Sequence, residues 1–131
     1  MYIMKGLYFF FVAILLCFNS CKSKDAINPK ETWTYGCGSF EVYQDGYKLS
    51  GLCCSYITIP KLKLYKEKSF SADAEFYAYT GAGYGSQPIK ISGYLSKDGK
   101  ILSLHYTVNG TASSIELISG AARMICDCYC D

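Results

Sequence analysis

The sequence predicts an all-β domain, an antiparallel up-and-down meander of about eight strands forming a small barrel or sandwich, with a disulfide-bearing C-terminal tail. Three observations carry this. From Asn28 onward apolar residues recur with a period of two, and no segment holds a period of 3.6. Two-residue turn signals, Asp45-Gly46 and Asn109-Gly110, stand between alternating runs. Cys37, Cys53 and Cys54 lie near one end of this region, and Cys126, Cys128 and Cys130 lie at the other.

Taken in chain order, residues 7–18 form an apolar run of twelve. A membrane-spanning helix needs roughly 20, so residues 1–20 read as a secretory signal peptide whose apolar h-region is this run. The small Ser20 before Cys21 resembles the lipobox of bacterial lipoproteins, with Phe18 where Leu is commonest and Asn19 where a small residue is. The resemblance implies that the Cys21 thiol is acylated, with chains such as palmitate, and that cleavage leaves Cys21 as the new N-terminus. Two or three chains would hold the protein stably on a membrane. Lys22 rather than Asp follows Cys21, and by resemblance to Gram-negative sorting signals this implies the outer membrane of a bacterial cell envelope, on its periplasmic face or at the cell surface.

Residues 21–30 are polar, carry Pro29, and read as a lipidated tether ahead of a β-domain over 31–131. Trp33 and Tyr35 open the first strand. Residues 39–44 and 47–52 flank Asp45-Gly46, and a two-residue turn there pairs Val42 with Leu49 on the Phe40 face. Leu62 and Leu64 mark a short strand. Phe70, Ala72, Ala74, Phe76 and Ala78 mark a longer one, with Ser71, Asp73, Glu75, Tyr77 and Tyr79 on its other face.

Farther along, Ile89, Ile91, Gly93 and Leu95 alternate up to the turn 96–99, and Asn109-Gly110 fixes the last hairpin. Its register pairs Val108 with Thr111, Tyr106 with Ser113, Leu104 with Ile115 and Leu102 with Leu117, giving one continuous apolar face. This Gly-bearing strand, Asp-Gly turn, Leu-x-Leu-x-Tyr strand and Asn-Gly turn resemble the C-terminal half of small lipocalin-like barrels of secreted bacterial lipoproteins.

With Cys17 lost in the signal and Cys21 lipidated, six cysteines remain, an even number that argues for disulfides in an exported domain. Two pairings compete. Early-to-late bridges would staple the first strands to the last, whereas the Asp45-Gly46 register places Cys37 opposite Cys54. The tail 124–131 is expected to be irregular, with at least one bridge to the early group. Cys126-x-Cys128-x-Cys130 also admits an extracytoplasmic metal- or thiol-redox site, although its spacing is not that of structural zinc sites.

Beyond the signal, twelve basic residues stand against eleven acidic ones, which gives no footprint for nucleic acid. Lys61, Lys63, Lys66 and Lys68 read as a solvated or edge segment. His105, across from Ser114 and near Ser103 and Glu116, reads as a solvated sheet face, since neither a strained nucleophile turn nor an oxyanion donor accompanies it. The Gly-rich stretch 80–88 reads as a hairpin loop, because no helix follows to bind phosphate. The expected function is therefore a non-enzymatic, lipid-anchored envelope protein that binds another envelope protein or a small ligand, without metal or cofactor. Tyr77, Tyr79 and Tyr84 are the candidate ligand contacts. A glycan- or lipophile-binding module using these tyrosines or a barrel interior is the alternative.

Overall fold

The computed structural model describes residues 31–121, Met124 and residues 126–130. The stretches expected to be signal peptide and tether, residues 1–30 with Cys21, lie outside the described residues. Eight antiparallel strands close into a barrel in sequence order: β1 (Trp33–Tyr35), β2 (Gly38–Tyr43), β3 (Gly46–Ser50), β4 (Ser55–Ile59), β5 (Lys68–Tyr79), β6 (Tyr84–Leu95), β7 (Ile101–Val108) and β8 (Thr111–Ser119). The ring is completed by Trp33 against Ser119 and Thr34 against Ile118. The architecture is thus a closed barrel rather than a sandwich.

The strand count agrees with the sequence expectation, but one member is different. Leu62 and Leu64 do not form a strand; they lie in the connection 60–67, where Leu64 is buried against the core. The fourth strand is Tyr56-Ile57-Thr58-Ile59 with Ser55, bounded by Pro60. Its β-branched and aromatic residues alternate, Ile57 and Ile59 inward and Tyr56 and Thr58 outward, and it joins β3 to β5.

The β7–β8 hairpin takes the register that Asn109-Gly110 dictates, from Val108↔Thr111 to Leu102↔Leu117. Both turn residues have positive φ, 51° and 78°, which is what this turn type requires. The β2–β3 hairpin departs from its expected register. Its turn is Gln44-Asp45, with Gln44 at φ 55°, and Phe40 rather than Val42 faces Leu49. Gly46 is already a strand residue. A Cβ there would overlap the Ile59 carbonyl of β4, so this glycine serves a close approach from outside its own hairpin. The slip preserves the parity of both strands, so Phe40 and Leu49 still point inward.

The stretch 80–88 also differs from the expected loop. Only 80–83 is loop, and β6 runs from Tyr84 through Pro88, each residue paired with β5. Ser96 N–H bonds the Ile101 carbonyl across to β7. Counting back from it in twos, the backbone of residue 88 faces the β7 side, where β6 has no partner before Ile91. Proline at that position removes a donor from an open edge and discourages further strands from adding there.

The interior is filled by Trp33, Phe40, Leu49, Ile57, Ile91, Leu95, Leu102, Leu104 and Leu117, each fully buried. Phe40 and Tyr47 stack at 4.8 Å between ring centroids, and the buried Trp33 indole donates to the Gly99 carbonyl at 2.9 Å. Turns 44–45, 60–67 and 96–100 gather at one pole, where the chain enters β1. The other pole gathers turns 36–37, 51–54, 80–83 and 109–110.

All six domain cysteines belong to this second pole. Cys37 bonds Cys126, Cys53 bonds Cys128 and Cys54 bonds Cys130, with Cα separations of 5.6, 5.3 and 5.5 Å. The local Cys37–Cys54 alternative is therefore excluded: β3 ends at Ser50, and the shifted register no longer opposes these cysteines. Gly51, Cys53 and Cys54 all have positive φ, so the chain between β3 and β4 coils too tightly for Cys53 and Cys54 to face opposite ways as in a strand. The described part of the tail, Met124 and residues 126–130, is irregular, as expected, and its three cysteines reach both turns.

Candidate binding face

Tyr77 and Tyr79 point outward from β5, and Tyr84 opens β6 opposite Tyr79. The alternation of β5 places these rings on its solvent side, because Ala72, Ala74 and Phe76 occupy the inner one. Structure adds three neighbours that the sequence reading passed over. Tyr56 on β4 pairs with Tyr77, their rings stacked at 4.5 Å with 10° between planes. Lys48 on β3 sets its Nζ 4.4 Å from the Tyr56 ring centroid and 5.4 Å from that of Tyr43 on β2. Tyr84 leans on Tyr56 at 5.2 Å and meets Tyr79 at 5.7 Å.

The result is a row across five strands: Tyr43, Lys48, Tyr56, Tyr77 and Tyr84, with Tyr79 at its end. Tyr84 and Tyr43 are the more open rings, 52 % and 43 % exposed. Tyr56 was missed because its strand was missed. A search for β-branched runs bounded by proline would have found it. Beside the row lies a concavity of about 220 Å³ bordered by Tyr43, Lys48, Tyr56, Thr58, Glu75 and Tyr77.

Loss of solvent around Tyr56, reinforced by the phenols of Tyr77, Tyr43 and Tyr84, raises its pKa above the ordinary tyrosine value. Its hydroxyl therefore stays neutral. Tyr79 donates its hydroxyl proton to the Gly81 carbonyl at 3.2 Å. This face offers phenol hydroxyls, ring edges and one ammonium, a set suited to holding a partner. No family model, curated protein or solved structure matches this chain.

The other sequence candidates are placed differently. Cys126, Cys128 and Cys130 are all bonded in disulfides, so in this oxidised form the trio offers no thiolate to a metal. Among the described residues no three His, Cys, Asp or Glu side chains cluster as a metal site. His105 lies opposite Ser114, and Ser103 opposite Glu116, on the outer surface, as their hairpin register requires. Asp73 pairs with Lys90 of β6 in a fully solvated ion pair, which is worth little. Lys61, Lys63, Lys66 and Lys68 follow β4 at the pole where the chain enters.

Proposed function

We propose that this chain is a lipid-anchored protein of the bacterial cell envelope whose barrel acts by binding, presenting the Tyr43–Lys48–Tyr56–Tyr77–Tyr84 row to a protein partner. The observation that carries this reading is the row itself. Aromatic side chains and a cation are gathered on a solvent-facing sheet surface, where folding alone does not require them. The disulfides agree with an oxidising compartment, and the signal and Cys21 supply the anchor. An interior ligand is disfavoured because packed side chains occupy the barrel. Sugar stacking is disfavoured at Tyr56 because Lys48 and Tyr77 already cover its ring.

A photo-crosslinking residue placed at Tyr84, or as a control at His105, tests the reading in the native lipidated protein. A discrete adduct with one envelope protein from Tyr84 alone is expected, weakened by Lys48→Ala. Equal adducts from both positions would refute the assignment of this face. Incorporation of radiolabelled lipid that persists in Cys21→Ala would refute the anchor.

A further inference from the structure

The lysines of the domain are not spread evenly. Eight lie among the described residues, and six of them, Lys61, Lys63, Lys66, Lys68, Lys97 and Lys100, stand at the pole where the chain enters β1. Their placement follows from topology, since the β4–β5 connection and the β6–β7 turn meet there. Glu67 N–H bonds the Leu95 carbonyl, and the Lys66 stem lies over Gly99. The opposite pole's turns, 36–37, 51–54, 80–83 and 109–110, carry no charged residue at all.

Four carboxylates share the lysine pole: Glu31, Asp45, Glu67 and Asp98. Asp98 is turned inward on its own loop, accepting from Ser96 Oγ at 2.6 Å and from Lys100 N–H at 3.0 Å. The connecting segment 22–30 adds Lys22, Lys24 and Lys30 against Asp25. Exposed apolar groups lie on the same end. Ile101 and Ile118, 41 % and 62 % exposed, pair across β7 and β8, and Tyr65, 38 % exposed, lies beneath Lys68 Nζ. Lysines interspersed with tyrosine and isoleucine make a surface of interfacial character.

We propose that this pole faces the membrane and rests on anionic phospholipid headgroups, through Lys61, Lys63, Lys66, Lys97 and Lys100. The proposal rests on the lipid anchor of the preceding section and adds an orientation to it. Nine residues join Cys21 to Glu31, and a chain of that length spans at most about 30 Å. Gly120 N–H bonds the Thr32 carbonyl, which fixes the entering chain at the lysine pole. A short basic leash leaving from a basic pole brings that pole to the bilayer first. The tyrosine row, running across the barrel wall, and the cystine pole remain open to a partner.

The test is residue-by-residue acetylation of the full lipidated protein on vesicles of phosphatidylcholine, with and without phosphatidylglycerol, read by mass spectrometry. Each lysine held near an anionic surface gains roughly fivefold in local partition, so acetylation of Lys61, Lys63, Lys66, Lys97 and Lys100 should slow several-fold on phosphatidylglycerol vesicles. Lys48 should be unaffected, and high salt should abolish the difference. Joint substitution of Lys61, Lys63 and Lys97 by Gln should release the protection at Lys66 and Lys100. Protein that floats with the vesicles yet shows equal rates on both compositions would overturn the orientation and leave the anchor standing. Protein that does not float would overturn both.

Discussion

Strands β1 to β4 run three to six residues, whereas β5 to β8 run eight to twelve. The ladders differ accordingly. Twelve residue pairs join β5 to β6 and eight join β7 to β8, against three between β1 and β2 and two where β1 closes on β8. Every early cysteine sits in a turn of the short half and is bridged to the tail, and no half-cystine lies in β5 to β8 or the turns between them. The contrast teaches how one chain stabilises two kinds of sheet. Long hairpins hold through their own turns and cross-strand pairs. Short strands with few pairs are held by covalent closure from the tail.

The largest effect should come from cutting that closure. A single bridge over 75 to 89 residues of separation is worth about 4.5 kcal/mol in the chain-entropy model, but bridges added beside it close much shorter loops. Paired substitution of Cys37 and Cys126 by Ser should therefore cost about 3 kcal/mol, and that of Cys54 and Cys130 only about 2. Denaturant unfolding measures both, and equal costs would undo the ordering.

Two glycines sharpen the comparison at the next level. Gly46→Ala in the short half forces a methyl into the Ile59 carbonyl and should cost about 2 to 3 kcal/mol. Gly110→Ala in the long half meets no atom within 4 Å and strains only its φ of 78°, at about 1 kcal/mol. Thermal melts of the two variants, read against the parent, should fall in that order.

Where the halves meet, Tyr56 and Tyr77 stack across β4 and β5. A double-mutant cycle with Leu at each position should give a coupling of about 1 kcal/mol. Zero coupling would make the stack ornamental to the fold.

The smallest effect concerns alkaline pH. Burial raises the pKa of Tyr47, with help from the Glu31 charge, and burial raises that of Tyr106 against the opposing Ser113 hydrogen bond. A phenol whose folded pKa exceeds its unfolded value of 10.0 adds stability that is complete below pH 10 and fades as pH climbs through the folded value. Tyr47→Phe in the short half and Tyr106→Phe in the long half should each flatten the fall in melting temperature above pH 10.

The two halves also differ in how far they could be read from sequence. Asn109-Gly110 placed every pair of its hairpin, because both residues accept positive φ and nothing outside the hairpin intervenes. Asp45-Gly46 misled by one residue on each strand, because Gly46 answers to β4 rather than to its turn. The inward faces survived, since the slip kept parity. Residues 80–88 looked like loop by composition, whereas pairing with β5 carries β6 through them. On the candidate face, Tyr77 and Tyr79 were visible from alternation on one strand and Tyr84 from its place just after that strand. Tyr43, Lys48 and Tyr56 joined them only through pairing between strands, which spacing along the chain does not encode. The six cysteines announced disulfides, but their pairing depended on the coil at 51–54 and on where the tail lies.

Amide hydrogen exchange on the oxidised protein and on the fully reduced, alkylated protein tests the division of labour most directly. Reduction should speed exchange in β1 to β4 by at least about a hundredfold while the central pairs of β5–β6 and β7–β8 keep their protection. Equal loss throughout the barrel, or earlier loss in β5 to β8, would contradict it.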